Sequence, residues 1–438
     1  DEASPARATT DEASPARARE RSFSHLLVCG GAGFIGSAFV RRLLARGDGT
    51  RITVLDKLTY AGNLANLDPV RADPHQAARF RFVRGDIADR ATVWPLLAEA
   101  DAVVNFAAES HVDRSILDSE AFLATGVLGV HVLLEGCRRE LERRGRSIRY
   151  LQVSTDEVYG SVDAPVSEDA PLRPRSPYAA AKAAGDLLVA SYAVTFGLDA
   201  LVTRGANTYG PYQHPEKLIP LFVTNAIDGL PLPLYGDGLQ RRDWLYVDDH
   251  AAAIEHVLRY GAPGAVYNVP GAGERANREI VARLLELLGA PWDLVRQVPD
   301  RPGHDRRYAL DGRKLAALGW RPQVDLDEGL ARTVAWYRGH EAWWRPLKSG
   351  EWEEYWRRQY AARLAAGRPF RAGDDAEDPP NGGPAGIAEE RPAGRGGGLA
   401  EAAPNGVGGE PAEPTDGERS GFHGPAGDGP AGDVPGAT

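Results

Sequence analysis

The sequence predicts an α/β protein: a Rossmann-like, doubly wound parallel sheet with a smaller mixed α/β substrate-binding lobe. Three observations carry that prediction. Short apolar runs alternate with helical patterns through the first half of the chain, as a parallel sheet crossed by helices requires. A glycine-rich turn, Gly30-Gly31-Ala32-Gly33-Phe34-Ile35-Gly36, follows the first run and opens the first helix. Further on, the apolar run 150–153 ends in Ser154-Thr155-Asp156-Glu157-Val158-Tyr159-Gly160. A hydroxyl and two carboxylates thus sit at the C-terminal tip of a buried strand, the edge where open parallel sheets bind ligands.

In chain order, His25–Cys29 is expected as the first strand and Phe34–Ala45 as the helix after it. Strands follow at 51–56, 80–83 and 102–106, with helices over 90–99 and 119–142. Tyr178 and Lys182 stand four apart in an alanine-rich helical segment. That spacing puts both on one helix face, about 6 Å apart at Cβ. The ammonium is expected to favour tyrosinate and so to lower the pKa of the phenol toward that of a useful base. Beyond Lys182 the alternation weakens and prolines crowd 211–233 and 291–302. This reads as the smaller lobe, interleaved with the last sheet strands and closed by an amphipathic helix from Asp327 to about Trp344.

Composition sets the boundaries. Residues 1–22 carry a direct repeat, Asp-Glu-Ala-Ser-Pro-Ala-Arg-Ala at 1–8 and 11–18, and read as a disordered leader. Residues 371–438 read as a disordered Gly/Pro-rich acidic tail, with too few aliphatic side chains to offset its conformational entropy. Between them, 23–206 is expected to be mainly the dinucleotide-binding domain with the catalytic residues, and 207–370 mainly the substrate lobe. The formal net charge of -10 sits in the tail, where 13 acidic and 3 basic residues follow Ala372, leaving the rest neutral. A nucleic-acid partner is therefore not expected. With only two cysteines, and no second ligand at metal spacing beside His111, no metal site is expected either. No apolar run of membrane-spanning length and no signal peptide stand out, so a soluble cytoplasmic protein with no membrane partner is the expectation.

Each motif has its own chemistry. Glycines 30, 33 and 36 permit a tight turn, close approach of a pyrophosphate and close helix packing. Asp56 ends the second strand, twenty residues past Gly36. A carboxylate there accepts hydrogen bonds from ribose hydroxyls and repels a 2′-phosphate, which favours NAD over NADP. Asp86 either bonds an adenine amino group or caps the helix starting near Asp89. Small residues in 106–110 let a cofactor lie close to the strand end. His111 reads as structural, hydrogen-bonded to Asp113 or Glu109. Arg242 offers a fork for a diphosphate, or else pairs with Asp243 or Asp248. Asp156 and Glu157 form either an acid/base pair or a helix-capping, solvated pair.

With those residues in view, the chain resembles the extended short-chain dehydrogenase/reductase superfamily and, within it, the dTDP-glucose 4,6-dehydratases. The resemblance rests on 56–63, 107–116, 154–160, 207–212, 215–220, 242–247 and 301–308, and spans about 25–340. Thr155-Asp156-Glu157 is its most discriminating piece, since related epimerases and decarboxylases lack the carboxylate pair. The resemblance implies a homodimer that converts dTDP-glucose, with bound NAD, into the 4-keto-6-deoxy sugar and water. Tyr178, helped by Lys182, would take the 4-hydroxyl proton while Thr155 holds that oxygen. Glu157 would remove the carbon-5 proton, and Asp156 would assist loss of the 6-hydroxyl.

By the same resemblance NAD meets Gly30, Gly33, Phe34, Ile35, Gly36, Asp56, Lys57, Leu58, Thr59, Asp86 and Ile87. Its other contacts are Phe106, Ala107, Ala108, Ser110, Thr125, Tyr178, Lys182 and Thr208. The nucleotide sugar meets Ser110, Thr155, Asn207, Lys217, Leu218, Pro233, Tyr235, Arg242, Asn268, Arg301 and His304. The chain departs from its relatives at Gly126 and Thr208, where asparagines are usual, and at Cys29, where threonine is usual. A sugar-nucleotide 4-epimerase shares the tyrosine, lysine and cofactor but has no use for Asp156 and Glu157. A non-catalytic NAD-binding regulatory protein has no use for the intact Tyr178–Lys182 pair.

Overall fold

Runs such as His25-Leu26-Leu27-Val28-Cys29 have no polar face, so they can only become strands covered on both sides. The computed structural model describes residues 20–370. The expected tail lies outside the described residues, and so does the expected leader except for 20–22. Within 20–22, the Arg21 backbone N–H donates to the Arg259 carbonyl at 3.1 Å, and its guanidinium pairs with Asp199.

Strands β1 (His25–Cys29), β2 (Arg51–Asp56), β3 (Phe80–Arg84), β4 (Ala102–Asn105), β5 (Arg149–Thr155) and β6 (Ala200–Gly205) pair in parallel. Strands β7 (Asn207–Tyr209), β8 (Leu232–Tyr235) and β9 (Arg241–Tyr246) leave that sheet, and β10 (Val266–Val269) returns to it beside β6. The order is β10-β6-β5-β4-β1-β2-β3. The chain runs outward in both directions from β1, so a crevice opens between β1 and β4 at the carboxyl edge. Strands β11 (Glu274–Ala276), β12 (Val295–Val298) and β13 (Arg368–Pro369) complete two small sheets, β11-β9-β7 and β13-β12-β8.

One face of the large sheet is covered by helices Phe34–Ala45 and Val247–Tyr260, the other by Arg90–Glu99, Val130–Arg144 and Pro177–Phe196. A third core, around Trp244, Tyr337 and Trp344, belongs to the small sheets.

Local structure differs from expectation in four places. The helix expected over 119–142 is broken into Glu120–Leu123, a π-turn at Ala124–Gly129 and Val130–Arg144. Gly126 sits in that π-turn, where a Cβ would lie 3.1 Å from the Ala181 Cβ of the neighbouring helix. The closing helix ends at Gly339, and Glu341–Trp344 forms a separate turn of helix. A further helix, Glu351–Ala366, buries Trp352, Tyr355, Gln359 and Tyr360; its dense charges concealed it in the sequence. Finally, Glu120–Arg144 contains an 18-residue run, of mean hydropathy 1.4, long and apolar enough to cross a membrane, contrary to the expectation that no such run exists. Half of that stretch is buried inside the fold, as a helix packed on a sheet requires.

Candidate active site

The turn between β1 and its helix is shaped by contact, not by side chains. Gly30 has φ +73, and a Cβ there would fall 2.6 Å from the Ala107 nitrogen. At Gly36 a Cβ would fall 2.3 Å from the Gly30 carbonyl oxygen. The Asn105 side chain holds the opposite wall, accepting the Ala107 N–H at 3.1 Å while its amide donates to Gln152 at 3.0 Å. Bare backbone therefore faces the crevice from both sides, which fits a dinucleotide pyrophosphate.

Asp56 accepts the N–H groups of Ala32 and Leu58 at 2.9 and 2.8 Å, and burial pushes its carboxyl up. Lys57 pairs with Asp86 at 2.7 Å. The helix cap is Asp89, which accepts the Ala91 N–H at 3.0 Å, so the capping alternative for Asp86 is not what the structure contains. Asp86 instead faces the cavity.

That cavity, about 270 Å³, runs from the glycine turn to the tip of β5. Thr155, Asp156, Glu157, Tyr178 and Lys182 all line it. Thr155 ends β5 and caps the short turn Asp156–Tyr159, its Oγ1 accepting the Glu157 N–H at 3.3 Å. The same hydroxyl donates to Asp156 Oδ1 at 3.1 Å. Burial first, then the like charge of Glu157, pushes Asp156 well above the usual carboxylate range. Burial also raises Glu157, but the charges of Arg301, Lys217 and Arg242 oppose the rise.

One expectation is corrected here. Lys182 does not lower the pKa of Tyr178: burial and the charges of Glu157 and Asp156 push the phenol up. The Lys182 ammonium donates to the Val153 carbonyl at 2.6 Å, and burial lowers it to about 8. Spacing of four brought the two onto one face, but the ammonium's bond is to the strand.

Of the expected cofactor residues, all but Leu58 line the cavity; Leu58, at φ +57, serves through its N–H to Asp56. Of the expected substrate residues, Ser110, Thr155, Asn207 and Lys217 line it. Leu218, Pro233, Tyr235, Arg242, Asn268, Arg301 and His304 do not. Asn268 is a correction. It is fully buried, accepts the Tyr159 hydroxyl at 2.9 Å and donates to the Val166 carbonyl at 2.9 Å, so it braces β10.

Tyr235 donates to Asp113 at 3.0 Å, and Arg301 pairs with the same carboxylate at 3.4 Å. His304 bonds Asp300 at 2.6 Å. Arg242 pairs with neither Asp243 nor Asp248: it stacks 4.2 Å over Tyr308 and donates to the Asp305 carbonyl at 2.8 Å. His111 is structural, yet its partners are the Glu216 carbonyl at 3.4 Å and the Tyr355 hydroxyl at 3.5 Å, not Asp113 or Glu109.

Sequence reasoning missed Glu109, Gln213, His214 and His250 in the cavity wall. Gln213 and His214 lie between two stretches already singled out, which was a usable signal. His250 had none: it reaches the wall from the helix after β9, with Nδ1 2.7 Å from the Thr208 hydroxyl.

Residues 27–333 match the GDP-mannose 4,6 dehydratase family. The chain is similar to the dTDP-glucose 4,6-dehydratase of Streptomyces niveus, at 53% identity over 331 residues, covering 74% of this chain and 96% of that one. Against the dTDP-glucose 4,6-dehydratase of Mycolicibacterium smegmatis the identity is 46% over 329 residues, covering 74% and 96%. Among solved structures, the Streptomyces venezuelae dTDP-glucose 4,6-dehydratase with NAD bound matches at TM-score 0.70 and 54% identity, over 74% of this chain and 100% of that one. The UDP-glucose 4-epimerase of Thermus thermophilus, in complex with NAD, stands further off, at TM-score 0.65 and 34% identity, over 72% and 99%.

Proposed function

The chain belongs to the GDP-mannose 4,6 dehydratase family, and on that premise we propose that it is an NAD-dependent dTDP-glucose 4,6-dehydratase. The observation that carries this reading is the unequal carboxyl pair at the tip of β5, in one cavity with Tyr178. An elimination needs a neutral acid beside an ionised base, and environments that push two carboxyl groups apart supply both.

The roles follow from those environments. Tyr178 takes the proton of the 4-hydroxyl, and Thr155 hydrogen-bonds that oxygen. The new carbonyl acidifies carbon 5, whose proton Glu157 removes. Asp156, kept neutral by burial, protonates the departing 6-hydroxyl. NAD, cradled by the glycine turn and Asp56, would supply the hydride acceptor and donor, and its cationic ring would favour tyrosinate at Tyr178. The cations around Glu157, namely Lys217, Arg242 and Arg301, supply the positive field a nucleotide diphosphate needs. In this division of labour NAD belongs mainly to 23–206, which also carries the catalytic residues, and the sugar nucleotide mainly to 207–370.

The same reading makes the enzyme a soluble cytoplasmic homodimer. Leu123 and Leu128 near one helix, with Leu187 and Val194 on Pro177–Phe196, stand exposed where a second copy would cover them. Charge at Leu187 and Val194 together would leave a monomer by sedimentation if so.

Incubation with dTDP-glucose tests the activity. Product lighter by one water is expected. Unchanged mass with a galactose product would make the protein an epimerase, and bound NAD without turnover would make it a regulatory protein.

A further inference from the structure

Arg301 is a cation with one donor left over. Its charge is felt at Glu157, and its Nε is buried with no hydrogen-bond partner among the described residues. A guanidinium is a rigid fork of N–H donors, and a buried donor left unpaired is costly. Under the function proposed above, the open Nε–H is a donor that the substrate's diphosphate would take. The aim of that donor is set at the other end of the fork.

There, Nη1 donates to Asp113 Oδ1 at 3.4 Å. Asp113 is 3% exposed and lies in the helix Val112–Leu117, shortly after the cavity-lining segment 106–110. Its other oxygen, Oδ2, accepts the Tyr235 hydroxyl at 3.0 Å. The Tyr235 oxygen in turn accepts the Gln359 amide at 2.9 Å, so the phenol's single proton goes to Asp113. The Tyr235 ring is stacked on Tyr360, 22° from parallel, and the Arg363 guanidinium lies 4.9 Å over it. The carboxylate is thus pinned through one oxygen and presents the other to Arg301.

We propose, resting on the dehydratase reading, that Asp113 is a positioning residue for the nucleotide diphosphate, holding Arg301 by Nη1 so that Nε–H stays aimed at the substrate. Gln359, Tyr235, Asp113 and Arg301 bond in series and come from the helix Glu351–Ala366, strand β8, the helix after β4 and the loop after β12. Asparagine could not replace the carboxylate. Its one oxygen would serve Tyr235 or Arg301, and its NH2 would face the other donor. A donor fixed in advance spares the complex the entropy of ordering a long side chain. Charge alone argues the opposite sign: removing a negative charge beside an anion site would tighten the anion. The direction of the change therefore separates positioning from charge.

Calorimetric titration of the NAD-loaded enzyme with dTDP tests this, in wild type, Asp113→Asn, Arg301→Ala and the double variant. Asp113→Asn should weaken dTDP roughly tenfold, the worth of one charge-assisted hydrogen bond, and raise KM for dTDP-glucose more than it lowers kcat. In the Arg301→Ala background it should add nothing, because Asp113 acts through that guanidinium. Equal weakening in both backgrounds would make Asp113 merely structural and overturn the proposal. Tighter or unaltered binding in Asp113→Asn would overturn it as well. Should that variant not fold, Tyr235→Phe carries the test, since it keeps the ring and the carboxylate charge but frees Oδ2. It should weaken dTDP in the same direction, and unchanged affinity would overturn the proposal. Wild type that binds dTDP yet forms no dehydrated product from dTDP-glucose would overturn the assigned reaction alone. Wild type that does not bind dTDP would overturn both.

Discussion

Asp156 and Glu216 are both buried carboxyl groups near the same cavity, and their environments treat them in opposite ways. Asp156 is pushed far up, whereas Glu216 is pulled down to about 2. Burial raises both, so the sign is set by the company each keeps. Asp156 has another carboxylate beside it and one hydroxyl donor. Glu216 has Arg114 at 2.9 Å, and that guanidinium is held between the rings of Tyr60 at 3.9 Å and Tyr355 at 4.2 Å. Burial pushes His111 down to about 4 and lowers His214, so at neutral pH both imidazoles are uncharged. In acid, where the imidazoles gain a proton, the charges of His111 and His214 hold Glu216 down most, followed by Lys217 and Arg114; at neutral pH it is Lys217 and Arg114 that remain charged beside it. One carboxyl is thereby kept as an acid for chemistry, and the other as a fixed charge for structure.

The largest effects should come from erasing that contrast at the chemical end. Glu157→Gln and Asp156→Asn should each lower kcat by roughly 10²–10⁴-fold, the usual worth of a positioned acid or base. Steady-state assay of product checks this, with NAD retention unchanged in Glu157→Gln. Neither variant should lose stability to urea, because neither carboxyl is held by an ion pair. A wild-type rate in Glu157→Gln would mean that another group is the base.

At the structural end the balance reverses. Glu216→Gln leaves Arg114 without its counter-charge in a buried site, at a cost of about 3–5 kcal/mol. Urea denaturation followed by tryptophan fluorescence reads this directly.

Acidity sharpens the comparison further. Glu216 is depressed in the folded state, so the native protein binds fewer protons than the unfolded chain between about 2 and the ordinary glutamate value. Its stabilisation is complete above that ordinary value and is lost as pH falls toward 2. Asp156 is raised, so it contributes the opposite slope, with stability falling as pH rises above the ordinary aspartate value. Stability measured from pH 5 down to acid should therefore fall less steeply in Glu216→Gln than in wild type. The slope that Asp156→Asn removes lies on the neutral side.

The smallest effect concerns the ring stack on Arg114. Tyr355→Leu removes one aromatic face and should cost about 1–2 kcal/mol, while Tyr355→Phe, which keeps the face, should cost little. Equal losses in both would assign the effect to the hydroxyl near His111.

Legibility followed the range of the interaction. Strands β1 and β2, and the helix Phe34–Ala45, were readable to the residue because uninterrupted apolar runs and a glycine turn are local signals. The cavity's Thr155, Asp156, Glu157, Tyr178 and Lys182 were readable for a related reason: they sit on one strand tip and one helix face. Asn268 and His250 were not, since each is assigned its task by a partner far away in sequence. Helix Glu351–Ala366 was hidden because its buried aromatic residues are interspersed with charges.

By itself the sequence determined the parallel sheet, the glycine cradle and the gathering of acid, base and phenol at one edge, because strand and helix periodicity decide which side chains share a side. Tertiary structure alone decided what those groups are at neutral pH. The expected Lys182–Tyr178 coupling gave way to a lysine bonded to Val153 and a phenol raised by burial and then by its carboxylate neighbours. Ionisation depends on burial and on charges brought together from distant parts of the chain, and those exist only once the chain has folded.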